Sequence, residues 1–324
     1  ISGEALQNQA DGREGTVPEK KLFGTFEGVF VPTLLTILGV IMYLREGWVV
    51  GNAGLLGVWL IILLSFSITL ATGLSLSSIT TNIRIGAGGA FSIISKSLGL
   101  EVGGSIGIPL YLSQTLAVAM YIFGFRAGWL WIFPNHSAML VDFLAFAILF
   151  IVAYISASLA FRVQYLILAI IISSLISIIW AAYLGSMQEP ITWWGSFPGS
   201  PENDFSGIGF WGVFAVFFPA ATGIMAGANM SGELENPRRS IPVGTLSAIV
   251  VSLVIYMLLA FWLATSATTE ELVSDYTIMV EKAAWGQLIV AGLLGATFSS
   301  ALSSIVGAPR ILQALGKHKI LPAS

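Results

Sequence analysis

Cysteine is absent from this chain and histidine occurs twice, at His136 and His318. Disulfide frameworks, thiol nucleophiles and cysteine-based metal sites are excluded, and two histidines so far apart form no metal cluster. Without cysteine the redox compartment is not legible. Charge is also scarce: 10% of residues are Asp, Glu, Lys or Arg, the net charge is -3, and no basic run is interleaved with aromatics. Nothing therefore points to a nucleic-acid partner. No paired Asp, His-Glu metal motif or Ser-His pair lies within an apolar run, which argues against an intramembrane enzyme. The opening stretch, Ile1 to Glu19, is polar and lacks the apolar core of a signal peptide, so it reads as a mobile cytoplasmic tail.

Apolar residues are what the chain has in abundance. At 56% hydrophobic residues and a mean hydropathy of +0.88 it is a polytopic membrane protein. Runs of about 20 apolar residues give eight expected spans: Phe23 to Val50, Gly54 to Thr80, Glu101 to Trp131, Ala138 to Leu159, Phe161 to Leu184, Gly207 to Met230, Ile241 to Thr265 and Ala283 to Gly307. With the N-terminus inside, 11 of the 14 basic residues fall on the cytoplasmic side, and only Arg45, Arg126 and Lys282 fall outside. The loops around Glu189, Glu202 and Asp204, and around Glu270, Glu271 and Asp275, are acidic and belong outside. The expected division is a tail at 1–20, spans 1 to 5 at 21–185, an extracellular loop at 186–206, spans 6 to 8 at 207–308 and a cytoplasmic loop at 309–324.

Two spans are interrupted. Phe30-Val31-Pro32-Thr33-Leu34-Leu35-Thr36-Ile37-Leu38-Gly39 and Phe217-Phe218-Pro219-Ala220-Ala221-Thr222-Gly223 each place Pro, hydroxyls and Gly at a depth where lipid tolerates only continuous helix. Backbone opened there must line a cavity. Broken helices in corresponding positions of two halves mark the midplane site of an inverted-repeat transporter. Gly and Pro also occur in ordinary membrane helices, and small residues let helices pack closely. A half-helix starting after each break presents free N–H groups, at Gly39, Val40 and Ile41 and at Gly223, Ile224 and Met225, where an anion is favoured. No Lys or Arg stands between them, which suits a monovalent anion. A cation would need oxygen ligands, and Glu27, Glu46, Asp142 and Glu233 all fall toward span ends. Freed carbonyls and neutral hydroxyls are left to coordinate it.

Four passages resemble the cation-chloride cotransporters of the amino acid-polyamine-cation superfamily: Leu35 to Arg45, Ala117 to Tyr121, Phe218 to Leu234, and Ala296 to Leu302 running on to Ala308-Pro309-Arg310. The resemblance implies an all-α, LeuT-like fold of two five-helix inverted repeats with discontinuous helices 1 and 6. Eight spans would then be a truncated form of it, one repeat plus three helices of the next.

What the resemblance implies for the site is specific. Sodium would lie between the carbonyls of Leu35, Leu38 and Ala296 and the hydroxyls of Ser299 and Ser300. Potassium would lie among the carbonyls of Thr36, Ile37 and Pro219 and the hydroxyls of Thr222 and Tyr121, and chloride at the two amide triads. The paired serines imply sodium dependence, because potassium-chloride cotransporters lack them. Tyr121 implies potassium, because sodium-chloride transporters carry His there. The implied function is an electroneutral Na-K-Cl symporter working by alternating access, with no cofactor and no metal beyond its alkali cations. It would sit in the plasma membrane as a homodimer of the full-length protein. The family has Asn where Thr36 stands, but that position would contribute backbone. Arg45 is a candidate for the outer gate or a snorkelling anchor, and Glu233 to Pro242 reads as the inner loop after span 6. The same helices could instead serve an amino-acid or polyamine permease, a Na-Cl or K-Cl cotransporter, or a channel.

Overall fold

A computed structural model describes residues 22–83, 89–155, 157–200, 205–229 and 231–320; the tail expected at 1–20, Arg84, residues 86–88 of the glycine run, Glu202 and Asp204 lie outside the described residues. The fold is all-α, with one short hairpin pairing Gly199–Ser200 with Phe205–Ser206. Eight helical segments are long and apolar enough to cross a bilayer: span 1 (Phe26–Leu44), span 2 (Glu46–Asn82), span 3 (Leu100–Ile132), span 4 (Ala138–Ile155), span 5 (Val163–Tyr183), span 6 (Phe210–Glu233), span 7 (Pro237–Ser266) and span 8 (Gly286–Lys317).

The first boundary is subtler than hydropathy shows. Glu46–Asn82 is 37 residues, which as one helix would measure about 55 Å against a hydrocarbon layer of about 30 Å. It is two helices joined at Gly54, whose φ of 70° and ψ of 173° are not helical. A side chain at Gly54 would meet backbone atoms of Thr192, Trp194 and Gly195 at 2.7 to 2.9 Å. Those loop residues hold the turn, since the amides of Leu55 and Leu56, which begin the second helix and lack helical partners, donate to the carbonyls of Thr192 and Trp193 at 2.9 Å. Trp193 and Trp194 are half exposed, while the backbone beneath them caps this helix.

Span 8 packs along spans 3 and 5, span 7 along span 2, and the broken part of span 1 touches spans 5, 7 and 8. Leu35, Ile37, Leu38, Met42, Phe217, Tyr256 and Leu293 form the buried centre, whereas Leu116, Met139, Phe143, Phe150, Tyr154 and Ile179 turn apolar surface outward as lipid-facing residues do. The core therefore consists of the interrupted spans and the helices that hold them.

Candidate functional site

The interruption in span 1 is a single tight turn. Helix Val31–Ile37 continues a π-helical turn at Phe26–Phe30, carries Pro32 where the two meet, and ends at Leu38 with φ -77° and ψ 57°. Those angles are an inverse γ-turn, closed by the Gly39 N–H donating to the Ile37 carbonyl at 2.8 Å. The helix resumes at Val40–Leu44. Because the Gly39 amide turns back to Ile37, the carbonyls of Leu35 and Thr36 lose the partners four residues on that a continuous helix would supply. Of the expected amide triad, Gly39 is thus engaged, while Val40 and Ile41 open the new helix.

The interruption in span 6 is longer. Helix Phe210–Phe217 tightens into a 3₁₀ turn at Phe218–Ala221, and Thr222 is extended at φ -89° and ψ 179°. Gly223 has φ +96°, where a side chain would overlap the Thr36 methyl. The two breaks therefore touch, Gly223 against Thr36. Helix resumes only as Met225–Ala228, so attraction for an anion rests on the exposed amides rather than on a long helix dipole.

Around this contact lies a cavity of about 590 Å³. Thr36, Tyr121, Thr222, Gly223 and Met225 line it, together with Ser113, Gln114, Asn229, Ser303 and Ser304. These last five lie on the stretches of spans 3, 6 and 8 that lead toward the face where span 1 begins. Among the described residues the Tyr121 hydroxyl has no hydrogen-bond partner. Thr222 Oγ1 donates to the Pro219 carbonyl at 2.6 Å, and the Thr222 amide reaches the same oxygen at 3.2 Å.

Ser299 and Ser300 are completely buried on span 8 and neither hydroxyl has a hydrogen-bond partner. Ser300 Oγ lies 3.8 Å from where a side chain on Gly39 would begin, which puts it against the break. Ala296, Ser299 and Ser300 are spaced to share one face of the helix. A buried serine commonly satisfies itself on its own helix, as Ser174 does on Ile171. These two do not.

Two expected ligand carbonyls are already engaged. The Ile37 carbonyl accepts from Tyr256 Oη at 2.8 Å as well as from Gly39. Both lone pairs are used in this conformation, as they are at the Pro219 carbonyl, which accepts twice from Thr222. Tyr256, on span 7, was missed. Its signal is a lone Tyr in mid-span, whose hydroxyl must find a partner when buried. Tyr256→Phe is expected to cost about 1 kcal/mol, checked by the shift in thermal unfolding of the detergent-solubilised protein.

The carboxylates expected at span ends divide. Asp142 pairs with Arg126 at 2.7 Å and Glu233 with Arg310 at 3.0 Å, the latter joining the ends of two motifs. Glu46, by contrast, is wholly buried. Arg45 has no carboxylate partner among the described residues and lies 4.1 Å over the Tyr276 ring. Nearby, the Lys282 ammonium and the Thr268 amide hold the Glu271 carboxyl below the usual carboxylate range.

The sequence profile described as "Amino acid permease" matches residues 28–324. The chain belongs to that family. Within it, solute carrier family 12 member 8 of Homo sapiens is 38% identical over 94% of this chain and 44% of that protein. Member 2 from Squalus acanthias is 33% identical over 98% of this chain and 31% of that protein, and human member 1 is 34% identical over 99% and 34%. The resemblance to cation-chloride cotransporters stands on these relatives, of whose length this chain spans under half. The fold resembles MhsT, solved in complex with L-phenylalanine, at a TM-score of 0.54 and 16% identity over 93% of this chain and 76% of that one. The LeuT-like architecture is thereby shown, with this chain holding eight of its spans.

Proposed function

We propose that this chain forms the ion-binding part of a cation-chloride symporter that couples sodium, potassium and chloride. The observation that carries the reading is the pair of buried, unpartnered hydroxyls at Ser299 and Ser300, set beside carbonyls released at the break of span 1. Hard cations take such neutral oxygens, and Leu35, Leu38 and Ala296 would complete a sodium site. Potassium would use Thr36, Tyr121 and Thr222 about the cavity, joined by the Ile37 and Pro219 carbonyls once they release their present donors. Chloride would use the amides of Val40 and Ile41, joined by Gly39 if its turn opens, and those of Gly223, Ile224 and Met225. One sodium, one potassium and two chlorides leave transport electroneutral, free of the cost of about 2.3 kcal/mol per charge per 100 mV.

The mechanism is alternating access, with spans 1 and 6 moving against a frame that includes spans 3 and 8. In the conformation described, the cavity leads toward the face where span 1 begins, and the opposite side is closed over Arg45 and Tyr276. The distribution of basic residues supports putting that first face inside the cell; in this reading the protein works in the plasma membrane as a homodimer, with the tail, loop and repeat division expected from the sequence. Rubidium uptake into vesicles should fall at least tenfold when either sodium or chloride is withdrawn, and uptake indifferent to both would overturn the reading.

The cavity supports a second reading. At about 590 Å³, with amides from Gln114 and Asn229 on its wall, it has room for an organic solute. Uptake of labelled amino acid with no rubidium flux would favour that reading.

A further inference from the structure

Glu46 follows Arg45 where span 1 passes into its outer continuation. It is completely buried, and neither carboxylate oxygen has a hydrogen-bond partner. The adjoining Gly47 is closely packed. Ile278 lies 2.9 Å and Leu272 3.6 Å from where a side chain on the neighbouring Gly47 would begin. Above them Arg45 lies over Tyr276, the Tyr276 hydroxyl bonds Ser200 Oγ at 3.0 Å, and the Trp48 indole donates to the same oxygen at 2.7 Å.

None of the charged groups nearby neutralises it. Arg45 is turned onto Tyr276, and Tyr43 on the same segment bonds Ser174 at 2.8 Å. On span 7, Tyr256 interacts electrostatically with Glu46, but its hydroxyl hydrogen is committed to Ile37. On the short helices over the segment, Glu271 pairs with Lys282, Asp275 accepts from Thr277, and Glu270 and Glu281 are exposed. The 3₁₀ turn and first helix of span 6 carry no charged residue.

A buried anion without a cation or a donor is not tolerated. A metal ion would need several further oxygens, whereas a proton needs only the carboxylate. We propose that Glu46 is a proton-binding site of the outer closure. The carboxyl holds a proton while the segment is sealed. When the outer side opens and water reaches it, the O–H bond breaks and the proton passes to that water. The sealed form thus carries one proton more than the open form, so lowering the outside pH favours sealing, by up to about tenfold per pH unit. Tyr256, near this carboxyl, donates to the Ile37 carbonyl at the break. The inference rests on the alternating-access part of the function proposed above.

Because this segment has no native cysteine, closure can be read without transport. In the complete protein, reconstituted with any other cysteine replaced, Ile278→Cys places a thiol at a position 2% exposed. Its labelling by an impermeant thiol reagent is taken as a ratio to labelling of the exposed Asn135→Cys, which cancels the pH dependence of the thiol itself. The ratio should fall several-fold as the outside pH is lowered, and Glu46→Gln, which mimics the protonated carboxyl, should hold it low at every pH. A ratio flat with pH in the protein that retains Glu46 overturns the proposal, whether or not Glu46→Gln folds, as does a pH response that survives Glu46→Gln. Since no ion flux is read, failure here leaves the cotransport reading standing. Ion-independent uptake beside pH-dependent labelling would remove cotransport and keep the proton site.

Discussion

Replacing Ser299 and Ser300 together with alanine is expected to raise the sodium concentration for half-maximal rubidium uptake roughly ten- to a hundredfold, the equivalent of one charge-assisted contact worth about 1.5–3 kcal/mol. Thermal stability should hardly change. Both hydroxyls are buried without a protein partner, so their removal breaks no hydrogen bond and leaves no neighbour unsatisfied. A purely structural serine behaves in the opposite way, losing stability with no change in ion dependence. The pair of measurements therefore separates ligand from packing residue. An unchanged sodium requirement in a folded, active double variant would sink the sodium assignment.

Gly223→Ala is expected to abolish uptake and to lower thermal stability by about 2–6 kcal/mol, combining a residue held at positive φ with an overpacked contact. Gly223 has φ +96°, and its added methyl would overlap the Thr36 side chain at the place where the two breaks meet. Thr36→Ser removes the clashing methyl yet keeps a hydroxyl able to donate to the Pro32 carbonyl, as Thr36 does at 2.7 Å. In a double-mutant cycle, Thr36→Ser should recover the overlap part of the stability loss and leave the strain. Full activity in Gly223→Ala alone would show that the breaks need not touch. The resemblance implies Asn at the Thr36 position, and the contact gives Thr36 a physical setting: the side chain packs on the other break while its carbonyl is released.

The breaks were legible because Pro removes a helix donor and Gly permits non-helical angles wherever they stand, and at membrane depth no water compensates the opened backbone. Pro32, Pro219 and Gly223 lie in or beside the interruptions, and the Gly54 boundary between spans 1 and 2 coincided with the end of an apolar run. The identity of free groups was less legible. Gly39 was expected to offer its amide, but the inverse γ-turn at Leu38 returns it to Ile37. A charged residue beside Arg45 looks like a wet interface residue, yet Glu46 is completely buried, and short helices from the loop after span 7 pack on the adjoining Gly47.

What the sequence determined by itself was the class: a polytopic membrane protein with two interrupted helices, since hydropathy and helix breaking are local properties of the chain. The tertiary structure decided which polar atoms remain open. Ile37 and Tyr256 are 219 residues apart and share one hydrogen bond, whereas Ser300 meets the break in span 1, and Ser299 lies buried beside it in the sequence, with no bond made. Whether a buried oxygen is free depends on which distant segment packs against it, and no local pattern carries that information.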